Sequence, residues 1–94
     1  MVVNASVVGT TGHITVNAGD DIDLNASLST GGAGSVYLLA ANGTLDAVGP
    51  EVDGINVDGT ITTASGDILL SSARDIRTTA AISSTLGDVG LVAT

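Results

Sequence analysis

GHITVNA at 12–18 returns as GSVYLLA at 34–40, as GDILLSS at 66–72 and as GDVGLVA at 87–93. Each copy is a glycine, a polar or small residue, and then apolar side chains on alternate positions. A period of two marks an extended strand with one buried face. Recurrence of one phrase, in one phase, makes each copy a layer of a stack rather than an independent strand of a globular core.

Two further phrases keep the same rhythm. ASVVGTTG (5–12), ASLSTGGAG (26–34), GTITTASG (59–66) and AAISSTLG (80–87) each carry an aliphatic residue five or six positions before the next glycine. Between them fall DIDLN (21–25) and DIRTT (75–79). One turn therefore holds three short extended pieces. Gly, Asp and Asn are expected at the corners, supplying positive φ or side-chain-to-backbone bonds. The glycines set turn lengths of 22 residues (12 to 34), 32 (34 to 66) and 21 (66 to 87).

This pattern predicts an all-β chain folded as a parallel β-helix, or β-solenoid, of about four turns, with three short strands per turn and no visible caps. The whole of 1–94 is read as a single repeat segment: regular turns 12–33 and 66–86, an enlarged turn 34–65, and partial turns 1–11 and 87–94. Three inward columns are expected: Ile14, Val36, Ile68 and Val89; Val16, Leu38, Leu70 and Leu91; Val7, Leu28, Ile61 and Ile82. Burial of such ladders, at about 25 cal/mol per Å² of apolar area, would be the main stabilising term. An antiparallel sandwich also has short, evenly spaced strands. Its hairpins, however, would alternate turn types and would not repeat one phrase in phase. Helices are disfavoured by the Gly, Ser, Thr and β-branched content.

Composition agrees with a narrow interior. There is no Phe or Trp and one Tyr, so a sandwich core built on large aromatics is excluded. Ten acids against Arg74 and Arg77 give a net charge of −8, which argues against nucleic acid and anionic membrane surfaces as partners. Without cysteine there is neither a disulfide framework nor a zinc–thiolate site. No apolar run is long enough for membrane insertion, and no signal peptide is visible at the N-terminus.

The cadence GDILLSSARDI at 66–76, followed by AAISSTLGDVGLVA at 80–93, resembles the β-strand repeats of filamentous-haemagglutinin-like giant secreted proteins of Gram-negative and related bacteria. The resemblance extends over nearly the whole chain and is weakest at 44–58. It implies an internal rod segment of an adhesin-like or matrix protein, placed outside the cell or on its surface.

Four features could carry chemistry. The enlarged turn gathers Asp46, Glu51, Asp53 and Asp58 with Pro50 in LDAVGPEVDGINVD (45–58). Loops leaving a regular scaffold are common binding sites, and calcium takes several carboxylate oxygens. The spacing nevertheless matches neither an EF-hand nor a calcium-roll nonapeptide. The position after each glycine carries His13, Ser35, Asp67 and Asp88, expected to point outward, with the two acids on adjacent turns. Ser6, Ser27, Ser29, Thr60, Thr62 and Ser83 form mixed hydroxyl ranks on another face. Asn4, Asn25 and Asn42 begin Asn-x-Ser/Thr triplets, and the shared phase of the first two favours a corner role over glycosylation. Asp46 is also placed to pair with Arg77 across the stack, at about 0–1 kcal/mol. No nucleophile elbow or phosphate loop is present, so no catalytic, cofactor or metal residue is assigned.

The function expected from these observations is a structural, non-enzymatic rod or filament segment of a large secreted or surface-attached protein. The expected partner is a second copy, stacked end to end or laterally, because uncapped strands template pairing. The alternative is a carbohydrate- or calcium-binding module using the acidic loop 45–58, with surface carbohydrate as a compatible partner.

Overall fold

The computed structural model describes residues 1–41, 45, 49 and 51–94. Its strands are β1 (Val2–Val3), β2 (Val7–Gly9), β3 (Ile14–Ala18), β4 (Ile22–Leu24), β5 (Leu28–Thr30), β6 (Val36–Ala40), β7 (Gly54–Val57), β8 (Ile61–Thr63), β9 (Ile68–Ser72), β10 (Asp75–Thr78), β11 (Ile82–Ser84) and β12 (Val89–Ala93). Among the described residues there is no helix, hence none long and apolar enough to cross a membrane.

Each strand pairs with the strand three places along the chain. Three sheets result: β1-β4-β7-β10, β2-β5-β8-β11 and β3-β6-β9-β12. Every pairing among the described residues is parallel. Only a chain that coils in one sense, one strand per sheet per turn, produces that order. The molecule is a parallel β-helix of four turns with three strands each, and the antiparallel sandwich is excluded.

Register confirms the stacking of like residues. Ile14 lies beside Val36, Ile68 and Val89 in succession, and Val16 beside Leu38, Leu70 and Leu91. Val7, Leu28, Ile61 and Ile82 form the column of the second sheet. The first sheet adds Ile22, Ile55 and Ile76. Leu28, Val36, Leu38, Ile61 and Leu70 lose all solvent contact. This solid aliphatic interior needs no aromatic side chain, because facing sheets are close enough for Ile, Leu and Val to fill the space.

The glycines of the repeating phrase have a reason different from the one expected. Positive φ occurs at Gly32, Gly49 and Gly54, not at Gly12, Gly34, Gly66 or Gly87. At Gly34, Gly66 and Gly87 a Cβ would instead collide with the carbonyl oxygen of the phrase glycine one turn earlier. Close approach of backbone to backbone, rather than a left-handed corner, demands the missing side chain.

The enlarged turn also needs correction. It was expected to be irregular through 45–58, yet Gly54–Val57 forms β7 at the centre of the first sheet. Ile22 and Ile76 flank Ile55, and Leu24 and Thr78 flank Val57. The excess is therefore confined to 41–53, between β6 and β7, where the other turns have only 19–21 or 73–74. Gly54 sits at φ 128°, and a Cβ there would strike Ser72 and the Asp75 backbone, so the chain re-enters the sheet through a glycine.

Candidate functional site

The polar residues that follow the phrase glycines are organised along the axis of the stack. After each phrase glycine, one side chain accepts a hydrogen bond from the backbone of the next turn. The Ser35 N–H donates to His13 Nδ1 at 2.9 Å, the Asp67 N–H to Ser35 Oγ at 3.0 Å, and the Asp88 N–H to Asp67 Oδ1 at 2.9 Å. Corner amides that lie just outside the strand ladder thereby find partners. Asp67 and Asp88 do sit on adjacent turns, as expected, but the Asp67 carboxylate is occupied as an acceptor. Ser35 departs from expectation: it is buried rather than outward-facing. His13 also leans its ring toward Tyr37, with centroids 6.4 Å apart.

A second assembly covers the outer side of the first sheet, where Asp23, Asn56 and Arg77 stack in register. Asn56 is buried and fully engaged. Its Oδ1 accepts from the Val52 N–H and its Nδ2 donates to the Val52 carbonyl, both at 2.8 Å; Nδ2 also donates to Asp23 Oδ1 at 3.1 Å. This reciprocal clasp holds the end of the 41–53 excursion against the sheet. Asp21 Oδ1 accepts from the Gly54 N–H at 2.7 Å, bracing the same re-entry point.

The described acids of the enlarged turn, Glu51, Asp53 and Asp58, do not gather into a metal-holding cluster. Glu51 and Asp53 are half-buried, and Asp58 is exposed. Asp58 pairs with Arg77 at 3.1 Å and accepts from Thr79 Oγ1 at 2.6 Å. The Thr79 hydrogen bond foremost, and then Arg77, hold the Asp58 carboxyl below its ordinary value of 3.8. Arg77 was expected to pair with Asp46, which, with Asn42 and Pro50, lies outside the described residues. Among the described residues, no three His, Cys, Asp or Glu side chains lie close enough to hold a metal ion.

The hydroxyl ranks take their expected places, with Val8, Ser29, Thr62 and Ser83 in line. Ser6 and Ser27 bond at 3.2 Å, and Asn25 Nδ2 donates to Asn4 Oδ1 at 3.0 Å, giving the asparagines their corner role. A second hydroxyl set went unrecognised. Thr30 and Thr63 point inward, donating to the carbonyls of Gly34 at 2.7 Å and Gly66 at 2.6 Å. Ser84 follows at the same phase, donating to Gly66 at 2.8 Å. The sequence signal was available: Ser29-Thr30, Thr62-Thr63 and Ser83-Ser84 all precede the phrase glycine at nearly constant distance.

On the third sheet, an open groove of about 330 Å³ runs past Asn17, Leu39, Ala41, Ser71 and Thr94. Among its described lining residues there is no charged side chain and no aromatic ring. No protein-family model matches the chain, and no curated protein or solved structure is significantly similar to it.

Proposed function

We propose that this chain is a structural rod segment of a large secreted or surface-attached adhesin-like protein, working outside the cell and without catalysis. The observation that supports this most directly is where the polar side chains that follow the phrase glycines are directed. His13, Ser35 and Asp67 each bond the next turn along the axis rather than meeting at a cleft. A surface organised in this way resists bending and separation of turns, the property a spacer needs. The likeness of 66–93 to filamentous-haemagglutinin-like repeats points the same way.

One copy is short for such a role. Four turns at about 4.8 Å each give about 19 Å of rise, less than the 37 Å longest extent of the molecule. A rod emerges when such stacks continue one another.

The competing function is calcium or carbohydrate binding by the 45–58 region. Thermal unfolding with and without 5 mM calcium separates the two. A site with a dissociation constant of about 50 μM would stabilise the fold by about 2.7 kcal/mol, a rise of roughly 10 °C or more for a chain of this size. The rod reading expects a shift within about 1 °C, where nothing binds the native state preferentially. A calcium-dependent rise, or retention of the protein on an immobilised neutral oligosaccharide, would overturn it.

A further inference from the structure

We propose that His13 is a pH-sensitive fastener between two turns: its neutral ring holds the Ser35 amide, and protonation in mildly acidic surroundings releases it. The device is independent of whether the chain serves as a rod.

Three acceptors occupy one phase of the repeat, each taking the backbone N–H one turn further on: His13 Nδ1 from Ser35 at 2.9 Å, Ser35 Oγ from Asp67 at 3.0 Å and Asp67 Oδ1 from Asp88 at 2.9 Å. They do the same work with different proton chemistry. A hydroxyl oxygen keeps its lone pairs at any pH, and a carboxylate gains a proton only in stronger acid. An imidazole nitrogen has one lone pair, and the proton that charges the ring takes it. His13 can therefore accept from Ser35 only as the neutral ring with its hydrogen on Nε2. Histidine is the side chain that ordinarily gains its charge between about pH 8 and 5, and the chain has one.

The surroundings offer a charged ring little support. The strands beside this corner, β2, β3, β5 and β6, carry no charged residue. The His13 ring faces Tyr37 of β6 with centroids 6.4 Å apart, outside the about 6 Å at which an aromatic face holds a cation. Along the stack the next ionisable side chains are Asp67, one turn past Ser35, and Asp88 a turn further. Two turns are about 10 Å by strand spacing, a separation that salt screens. No carboxylate among the described residues makes an ion pair with His13.

Ser35 is buried, so its N–H, once released, has little water to turn to. A neighbouring bond limits the damage. The Ile14 N–H donates to the Ser35 carbonyl at 2.9 Å, and protonation of His13 leaves that bond intact. Acid thus loosens one corner without dissolving the coil. The folded chain takes the neutral ring and the unfolded chain has no such preference. The bond therefore contributes in full near about pH 8 and is lost as pH falls towards about 5.

His13→Asn separates titration from structure, because asparagine carries an oxygen at the same branch as Nδ1 that stays an acceptor throughout this range. Asp67 already makes the bond from that position. Thermal unfolding should show the wild-type melting temperature falling, from about pH 8 to about pH 5, by about 4–8 °C more than that of His13→Asn. That is the shift which loss of one hydrogen bond gives a chain of this size. His13→Leu, which removes the acceptor, should lie about as far below wild type at the higher pH and meet it at the lower. The α-amino group titrates in the same window but is common to all three proteins. Nitrogen chemical shifts of the imidazole give a readout independent of stability: at the higher pH they should identify Nδ1 as the bare nitrogen, and the Ser35 amide proton should move as the ring titrates. Parallel pH profiles for wild type and His13→Asn, a His13→Leu protein as stable as wild type at the higher pH, or a neutral ring with its hydrogen on Nδ1 would overturn the proposal.

Discussion

Replacing Gly66 by alanine should damage the fold severely, while the same change at Gly12 should not. Both open the same phrase, both precede a strand of the third sheet, and neither has a positive φ. They differ in what lies one turn earlier. A Cβ at Gly66 would overlap the Gly34 carbonyl and crowd the Ser35 nitrogen at 2.9 Å; one at Gly12 meets open space. Relieving the overlap requires the turns to separate locally by about 1 Å, since carbon and oxygen in contact need more than 3 Å. The Val36 N–H to Asp67 carbonyl bond, now 2.9 Å, and the Asp67 N–H to Ser35 Oγ bond, now 3.0 Å, would then stretch past hydrogen-bonding distance. Each lost bond costs about 1 kcal/mol, and residual strain adds about 1–2 kcal/mol.

Gly66→Ala should therefore lose about 3–4 kcal/mol, whereas Gly12→Ala should be neutral or gain about 0.4–1 kcal/mol by restricting the unfolded chain. In melting temperature that is a fall of roughly 10 °C or more against a small rise. Urea unfolding followed by far-ultraviolet circular dichroism, at a concentration low enough to keep the protein monomeric, measures both. If the two variants fall within about 0.5 kcal/mol of each other, contact between stacked glycines is not what the phrase encodes.

Further outcomes follow from the same geometry. Leu38→Ala, in the fully buried middle of its column, should cost about 2–5 kcal/mol, while Leu91→Ala, half exposed at the end of that column, should cost about 1 kcal/mol or less in the monomer. Asn56→Ala should lower stability by about 1–3 kcal/mol in urea unfolding by leaving the Val52 backbone groups without their partner. Asp58 contributes stability when ionised, because its folded value is held below 3.8. The gap in melting temperature between wild type and Asp58→Asn should thus be fully open above the unfolded value and close as pH falls through the lower folded one.

Much of the coil was legible because a solenoid writes its contacts into its period. Matching letters such as Ile14, Val36, Ile68 and Val89 are spatial neighbours, so alignment of the chain with itself reveals the register. What escaped was information carried by a single position. GINVD at 54–58 has apolar residues at its second and fourth places, like DIDLN at 21–25, but glycine in place of the leading aspartate disguised it as loop. That glycine answers to the excursion, which must re-enter at φ 128°, and no other turn has such an excursion to compare. Asn56 was equally opaque. Outward positions are ordinarily solvated, and its burial depends on Val52 folding back over it. Ser35 was misplaced for a related reason: nothing in a polar letter tells whether its partner is water or the amide of the next turn.

The acidity of the chain acquires a structural meaning from these contacts. Nine of its ten acids are Asp and only Glu51 is longer. Asp21, Asp23, Asp58 and Asp67 each accept a bond from a residue of the next turn: the Gly54 N–H, Asn56 Nδ2, Thr79 Oγ1 and the Asp88 N–H respectively. A one-carbon arm spans a rise of about 4.8 Å to a backbone amide and loses little rotamer freedom in doing so; a glutamate arm would overshoot and lose more. Fastening turns with aspartate, however, piles like charges along one axis, and a chain of net charge −8 repels its own copy.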